Sequence, residues 1–127
     1  MNNKEEHTIL HALEKLQTTT GMKTKFKPVV KDRFIDGTVE IIGANKAKVF
    51  FIEFKRQLRA HHLPGIAEQA LKYKPLIVIA ETIFPKLKEE LRKQNIAYLD
   101  DAGNAYINYQ DLVILIDGKK NEEKENK

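Results

Sequence analysis

No cysteine occurs among the 127 residues, which excludes disulfides and cysteine-ligated zinc. No apolar run approaches the roughly 18 residues that a membrane-spanning helix requires, and LIVIA and LVILI are strand-sized. The N-terminal MNNKEEH has no basic-then-apolar pattern. A protein without a secretory signal, located in the cytoplasm, is therefore expected, with no membrane partner. There is no glycine-rich phosphate loop and no Ser-His-Asp order. Regularly spaced aromatics for stacking single-stranded bases are also absent.

What is present is the composition of an ordinary globular chain, 42% apolar and 31% charged. The length suits one domain with one substantial core. A net charge of +4 is compatible with a polyanionic partner, although its distribution matters more than its total. No internal repeat or interdomain linker is visible.

Periodicity predicts the elements. Residues 4 to about 20 read as an amphipathic helix with Ile9, Leu10, Leu13 and Leu16 on one face, stopped near Gly21. A short strand is expected at 25–30, and Pro28 marks it as an edge. A second strand runs from Arg33 to Ile42, GANK is a turn, and a third strand runs from Ala47 to Phe54. The stretch LRAHHLPG is a loop, and Pro64 starts a helix reaching about Tyr73. LIVIA is a fourth strand, followed by a charged helix from Pro85 to about Asn95. IAYLD, AYINY and LVILI complete the strands. The pattern predicts one domain over residues 1–118, with a disordered charged tail at 119–127. The class is α/β or α+β, a central mixed sheet flanked by helices.

One residue interrupts an otherwise buried strand. In VFFIEFKR (49–56) the carboxylate of Glu53 sits among large apolar residues, where an uncompensated charge is costly. A hairpin centred between Ala44 and Asn45 sets Asp36 directly opposite Glu53, on one face of the pair. Lys55 joins that face because strand side chains repeat every two residues. Two opposed carboxylates require a proton, a cation or a divalent metal between them. Their oxygens suit Mg²⁺ or Mn²⁺, and a neighbouring ammonium suits phosphodiester hydrolysis. An ordinary ion pair of Glu53 with Lys55 or Arg33 is the bland alternative.

IDG at 35–37 followed by FIEFK at 51–55 resembles the PD-(D/E)XK, or restriction-endonuclease-like, superfamily. The resemblance covers about residues 4–100 and implies that fold's core. It also implies Asp36 and Glu53 as metal ligands, Lys55 as the catalytic lysine, and Mg or Mn as cofactor. Ile35 stands where the family name has proline. QALKY, with Gln69 and Tyr73 one helical turn apart, is similar to the Q-x-x-x-Y element of RecB-type nucleases, which helps hold substrate. EFKRQLRAHHLP and IAYLDDAGNAYI are similar to stretches of AbiEi-like antitoxins, the type IV toxin–antitoxin regulators. Proteins of that group continue into a winged-helix DNA-binding region, where this sequence has its charged tail.

The resemblance therefore implies a metal-dependent endo- or exonuclease, or a nuclease-like DNA-binding domain. Its alternatives are a non-catalytic antitoxin-type transcriptional regulator and a protein-interaction module. DNA is the expected partner, with a homodimer and a cognate toxin as further ones. Arg56, Arg59, His61 and His62, with Lys72 and Lys74 beyond, are candidates for a phosphate-binding surface. Glu14 is a candidate additional acid. KLKEELRK (86–93) reads as a solvated helix face with a Glu89–Lys93 pair, and LDDAGNAY as a tight turn around Gly103.

Overall fold

The computed structural model describes residues 3–29 and 34–120. Helix α1 (Asn3–Thr20) comes first. The hairpin strands β1 (Lys23–Pro28), β2 (Gly37–Ile42) and β3 (Ala47–Gln57) follow. A 3₁₀ turn at Ala60–His62 leads into α2 (Leu63–Lys72), then β4 (Leu76–Thr82), α3 (Pro85–Lys93) and β5 (Ala97–Asp100). A terminal hairpin of β6 (Ala105–Tyr109) and β7 (Leu112–Ile116) ends the order. All seven strands form one mixed sheet in the order β1-β2-β3-β4-β5-β6-β7, so the α+β class and the helix-flanked sheet hold. The central β3–β4–β5 pairs are parallel, as crossover helices require, and the outer pairs are antiparallel.

The boundaries differ from the sequence reading in ways that have local causes. β2 begins at Gly37 rather than Arg33, which lies outside the described residues. β3 continues past Phe54 to Gln57, because its far end keeps pairing with β4 at Thr82. The stretch read as the loop LRAHHLPG holds the 3₁₀ turn and the first turn of α2, with Pro64 where its missing N–H costs nothing. The expected tail falls mainly on residues 121–127, outside those described. At its start, the Lys119 backbone exchanges two hydrogen bonds with the Asn104 amide, at 2.8 and 3.0 Å.

Each face of the sheet buries its own apolar cluster. On one face α1 lays Ile9, Ala12, Leu13 and Leu16 over Val39, Phe50, Ile52, Ile77, Ile79 and Leu99. Each buried aliphatic side chain there contributes about 1.5–3 kcal/mol. Leu10, expected on this face, is 49% exposed, and Ala12 is buried in its place. On the other face α2 and α3 bring Ile66 and Leu91 onto Leu76, Val78, Ala80 and Tyr98. The two-residue period of β3 thus divides its side chains: Phe50, Ile52 and Phe54 go to the α1 face, and Phe51, Glu53 and Lys55 to the α2 face.

The helix read as a solvated charged face holds an exception. Lys88 on α3 is buried, and its Nζ lies 3.2 Å from Asp100 Oδ2. Asp100 also accepts from the Asn104 amide at 2.9 Å and from the backbone N–H groups of Ala102 and Asn104 at 3.0 and 2.8 Å. The DAGN stretch is therefore a tight turn, as expected, and the carboxylate just before it, Asp100, is tied to a helix. The Glu89–Lys93 contact is present at the surface, at 4.0 Å.

Candidate functional site

The β2–β3 register is the one the turn implied, with Gly37 opposite Ile52 and Ile42 opposite Ala47. Asp36 lies one residue beyond the last ladder pair. There the ladder slips: the Asp36 N–H donates to the Ile52 carbonyl at 2.8 Å. The Asp36 side chain replaces the missing rung, its Oδ2 accepting the Phe54 N–H at 2.7 Å. Gly37 makes this possible. A Cβ on it would stand 2.6 Å from the Lys27 carbonyl oxygen and 2.9 Å from the Phe26 ring, so only glycine lets β1 approach so closely.

Glu53 is engaged at both carboxylate oxygens. Oε2 pairs with Lys55 Nζ at 3.0 Å, and Oε1 accepts from Gln69 Nε2 at 2.9 Å. The same Gln69 nitrogen donates to the Phe34 carbonyl, so one α2 amide ties β3 to the segment before β2. Burial, together with the Glu53 charge, raises the Asp36 carboxyl above its usual range; the Phe54 N–H and Lys55 oppose this in part.

Glu53, Lys55 and Gln69 line an open cleft of about 400 Å³ with Phe34, His61 and His62. His62 Nδ1 accepts the Arg59 N–H at 3.0 Å, which leaves Nε2 to carry the proton of the neutral ring. Burial and then the positive neighbours His61, Lys55 and Arg59 push His62 below the usual histidine range. The cleft is thus walled by one carboxylate held between cationic and amide donors, with two imidazoles also in its lining.

The other residues singled out from sequence divide between this face and elsewhere. Arg59 does not line the cleft but is bonded to it through His62, and its Nη2 lies 3.1 Å from Gln57 Oε1. Tyr73 does not reach the cleft. It packs edge-on against Phe51, with ring centroids 5.4 Å apart, behind Gln69. Arg56 is on the opposite face, where its Nε lies 3.8 Å from Glu81 Oε2. The two-residue period explains this, since Arg56 alternates with Lys55. Glu14 belongs to α1, across the sheet from Glu53. Lys74 lines a separate cavity of about 480 Å³ at the C-terminal ends of α2 and α3. Sequence reasoning missed Phe34, whose contribution is a backbone carbonyl and so carries no side-chain signal.

No group of three or more His, Asp or Glu side chains able to hold a metal ion converges among the described residues. No helix among them is long and apolar enough to cross a membrane. Compared with protein-family models, with curated proteins and with solved structures, the chain matches none.

Proposed function

We propose that the chain is a metal-dependent nuclease, or a nuclease-like DNA-binding domain, with a restriction-endonuclease-like core and its site at Asp36, Glu53 and Lys55. The observation that carries this reading is the common placement of Glu53, Lys55 and Gln69 in one open cleft, with Asp36 coupled to Glu53 by charge. The donor chemistry fits Mg²⁺ or Mn²⁺. Asp36 keeps Oδ1 without a hydrogen bond among the described residues, and its desolvated carboxyl faces a like charge that a cation would relieve. Two carboxylates are enough for Mg²⁺, which keeps several waters and takes substrate oxygens as further ligands. Asp36 and Glu53 would hold it, and it would supply Lewis-acid activation of a phosphate and its attacking water.

The chain's own residues do the rest. Glu53 holds the Lys55 ammonium at the cleft wall, where it balances charge developing on a phosphate. Gln69 fixes the Glu53 carboxylate. Arg59 beside His62 is placed to contact a phosphate, and neutral His62 can donate through Nε2.

A second reading has its own support. Both Glu53 oxygens are already satisfied by Lys55 and Gln69, as in a closed structural ion pair. That favours a non-catalytic regulator of the antitoxin type that keeps the nuclease core. The two readings separate when supercoiled plasmid, single-stranded DNA and RNA are incubated with Mn²⁺, Mg²⁺ or EDTA. Metal-dependent cutting by the wild type, lost in Glu53→Ala and Lys55→Ala, supports the nuclease. Cutting that survives both substitutions overturns it, and no cutting by a folded wild type leaves the regulator.

A further inference from the structure

Strand β1 carries Lys23, Lys25 and Lys27 at every second position, all three exposed. Phe26, between them, packs with Val39 into the α1-side cluster, so the lysines project from the α2 face, the face of Glu53 and Lys55. Successive lysines are spaced by about 7 Å along the strand, comparable with successive phosphates along an extended nucleic-acid strand. None of the three forms an ion pair among the described residues.

The register aims this row at the site. Lys27 is opposite Thr38, and Asp36 is two residues further along on the same face. That diagonal spans about 7–8 Å between backbones. Lys25 is opposite Glu40, the one acid on β2 that faces the row. Beside them Val49 is half exposed, so this flank of the sheet is open among the described residues.

Lysines on an edge strand also guard against sheet-to-sheet aggregation. Guarding does not account for their placement here. The opposite edge, β7, has no charged residue and exposes Val113 and Leu115, at 68% and 62%. We propose that Lys23, Lys25 and Lys27 form a track that binds the phosphate backbone of one nucleic-acid strand and leads it past Asp36 to the cleft lined by Glu53 and Lys55. This rests on the nucleic-acid reading of that cleft, and it names a contact surface outside it.

The test is binding in EDTA, so that no cutting is needed. Fluorescence anisotropy would follow a labelled single strand of about 20 nucleotides and its duplex across a salt series. The full chain is compared with Lys23→Glu/Lys25→Glu/Lys27→Glu and with Lys4→Glu/Lys86→Glu/Lys120→Glu. The two triple variants have equal net charge, and glutamates preserve a charged edge on β1. The β1 variant should bind roughly 10–100-fold more weakly, with its log–log salt slope reduced by about 2–3. The control should change little. Single Lys25→Gln and Lys27→Gln chains, each lowering the slope by about one, serve if the triple variant misfolds.

Equal losses in the two triple variants would make the effect one of net charge and overturn the track. So would competition by a polyglutamate peptide as effective as the oligonucleotide, or an absence of wild-type binding at low salt. Track-dependent binding without metal-dependent cutting would leave the track standing and remove only the nuclease.

Discussion

Lys88, projecting from α3, reaches Asp100 at the end of β5, with both side chains buried and 3.2 Å between Nζ and Oδ2. Asp100 is the hub: it also receives Ala102, the Asn104 backbone and the Asn104 amide. Removing one partner of a buried pair leaves the other charge uncompensated. Asp100→Ala should therefore destabilise by about 3–5 kcal/mol. Lys88→Met should cost less, because three hydrogen bonds still hold the carboxylate. Urea denaturation of the two variants checks the order, and a larger loss in Lys88→Met would refute the hub.

Gln69 joins Glu53 to the Phe34 carbonyl. Gln69→Ala should release both, lowering stability by about 1–2 kcal/mol. If the cleft is catalytic, it should lower the cleavage rate more than substrate affinity. Tyr73→Phe keeps the ring that packs on Phe51 and should leave that rate unchanged. Single-turnover assays separate rate from affinity.

The raised Asp36 carboxyl has a signed consequence for pH dependence. Between the unfolded value of 3.8 and the higher folded one, the folded chain binds more protons than the unfolded chain. Stability from this group therefore falls as pH rises through that window, and above it the ionised carboxylate remains a cost. Asp36→Asn keeps an acceptor for the Phe54 N–H and removes the charge, so it should be the more stable protein at neutral pH. Thermal melts should converge below pH 3.8. If Asp36 and Glu53 hold Mn²⁺ as proposed, the ion should stabilise only the wild type, by about 1.4 kcal/mol at ten times its dissociation constant.

Gly37→Ala places a methyl group against the Lys27 carbonyl and the Phe26 ring. Because one of the clashing atoms is backbone, relief requires β1 to move away from β2. A loss of about 1–3 kcal/mol is expected, together with faster amide exchange in β1. An unchanged melting temperature would show that the close approach relaxes freely.

Local pattern carried most of the fold. Helical spacing located α1, turn residues set the β2–β3 register, and short apolar runs marked β4 to β7. The same register pointed to Asp36 directly opposite Glu53, but the ladder ends at the Gly37–Ile52 pair and Asp36 bonds to Ile52 and Phe54 instead, a slip that no local pattern announces. The misassignments lie where tertiary packing overrides a local signal. Leu10 and Ala12 both border the helix's apolar stripe, and the sheet selects the smaller one. Lys88 resembles its exposed neighbours until Asp100, twelve residues later, takes its charge. Arg56 was a different failure: its alternation with Lys55 was readable and places it on the far face. The β1 lysines also alternate visibly, but their direction depends on which way Phe26 packs, which only the assembled sheet decides.

Spatial order follows chain order across the whole sheet, so each strand's partners are its neighbours in sequence. Both margins are consequently near the ends of the described residues, and loosening can spread inward from either side one strand at a time. Amide hydrogens of β1 and β7 should exchange first and those of β4 last. The β2–β3 hairpin lies between these extremes, next to the β1 margin. The site thus straddles both regimes, with Asp36 just before β2 on the side of the β1 margin and Glu53 and Lys55 on β3, paired to β4 at the centre of the sheet.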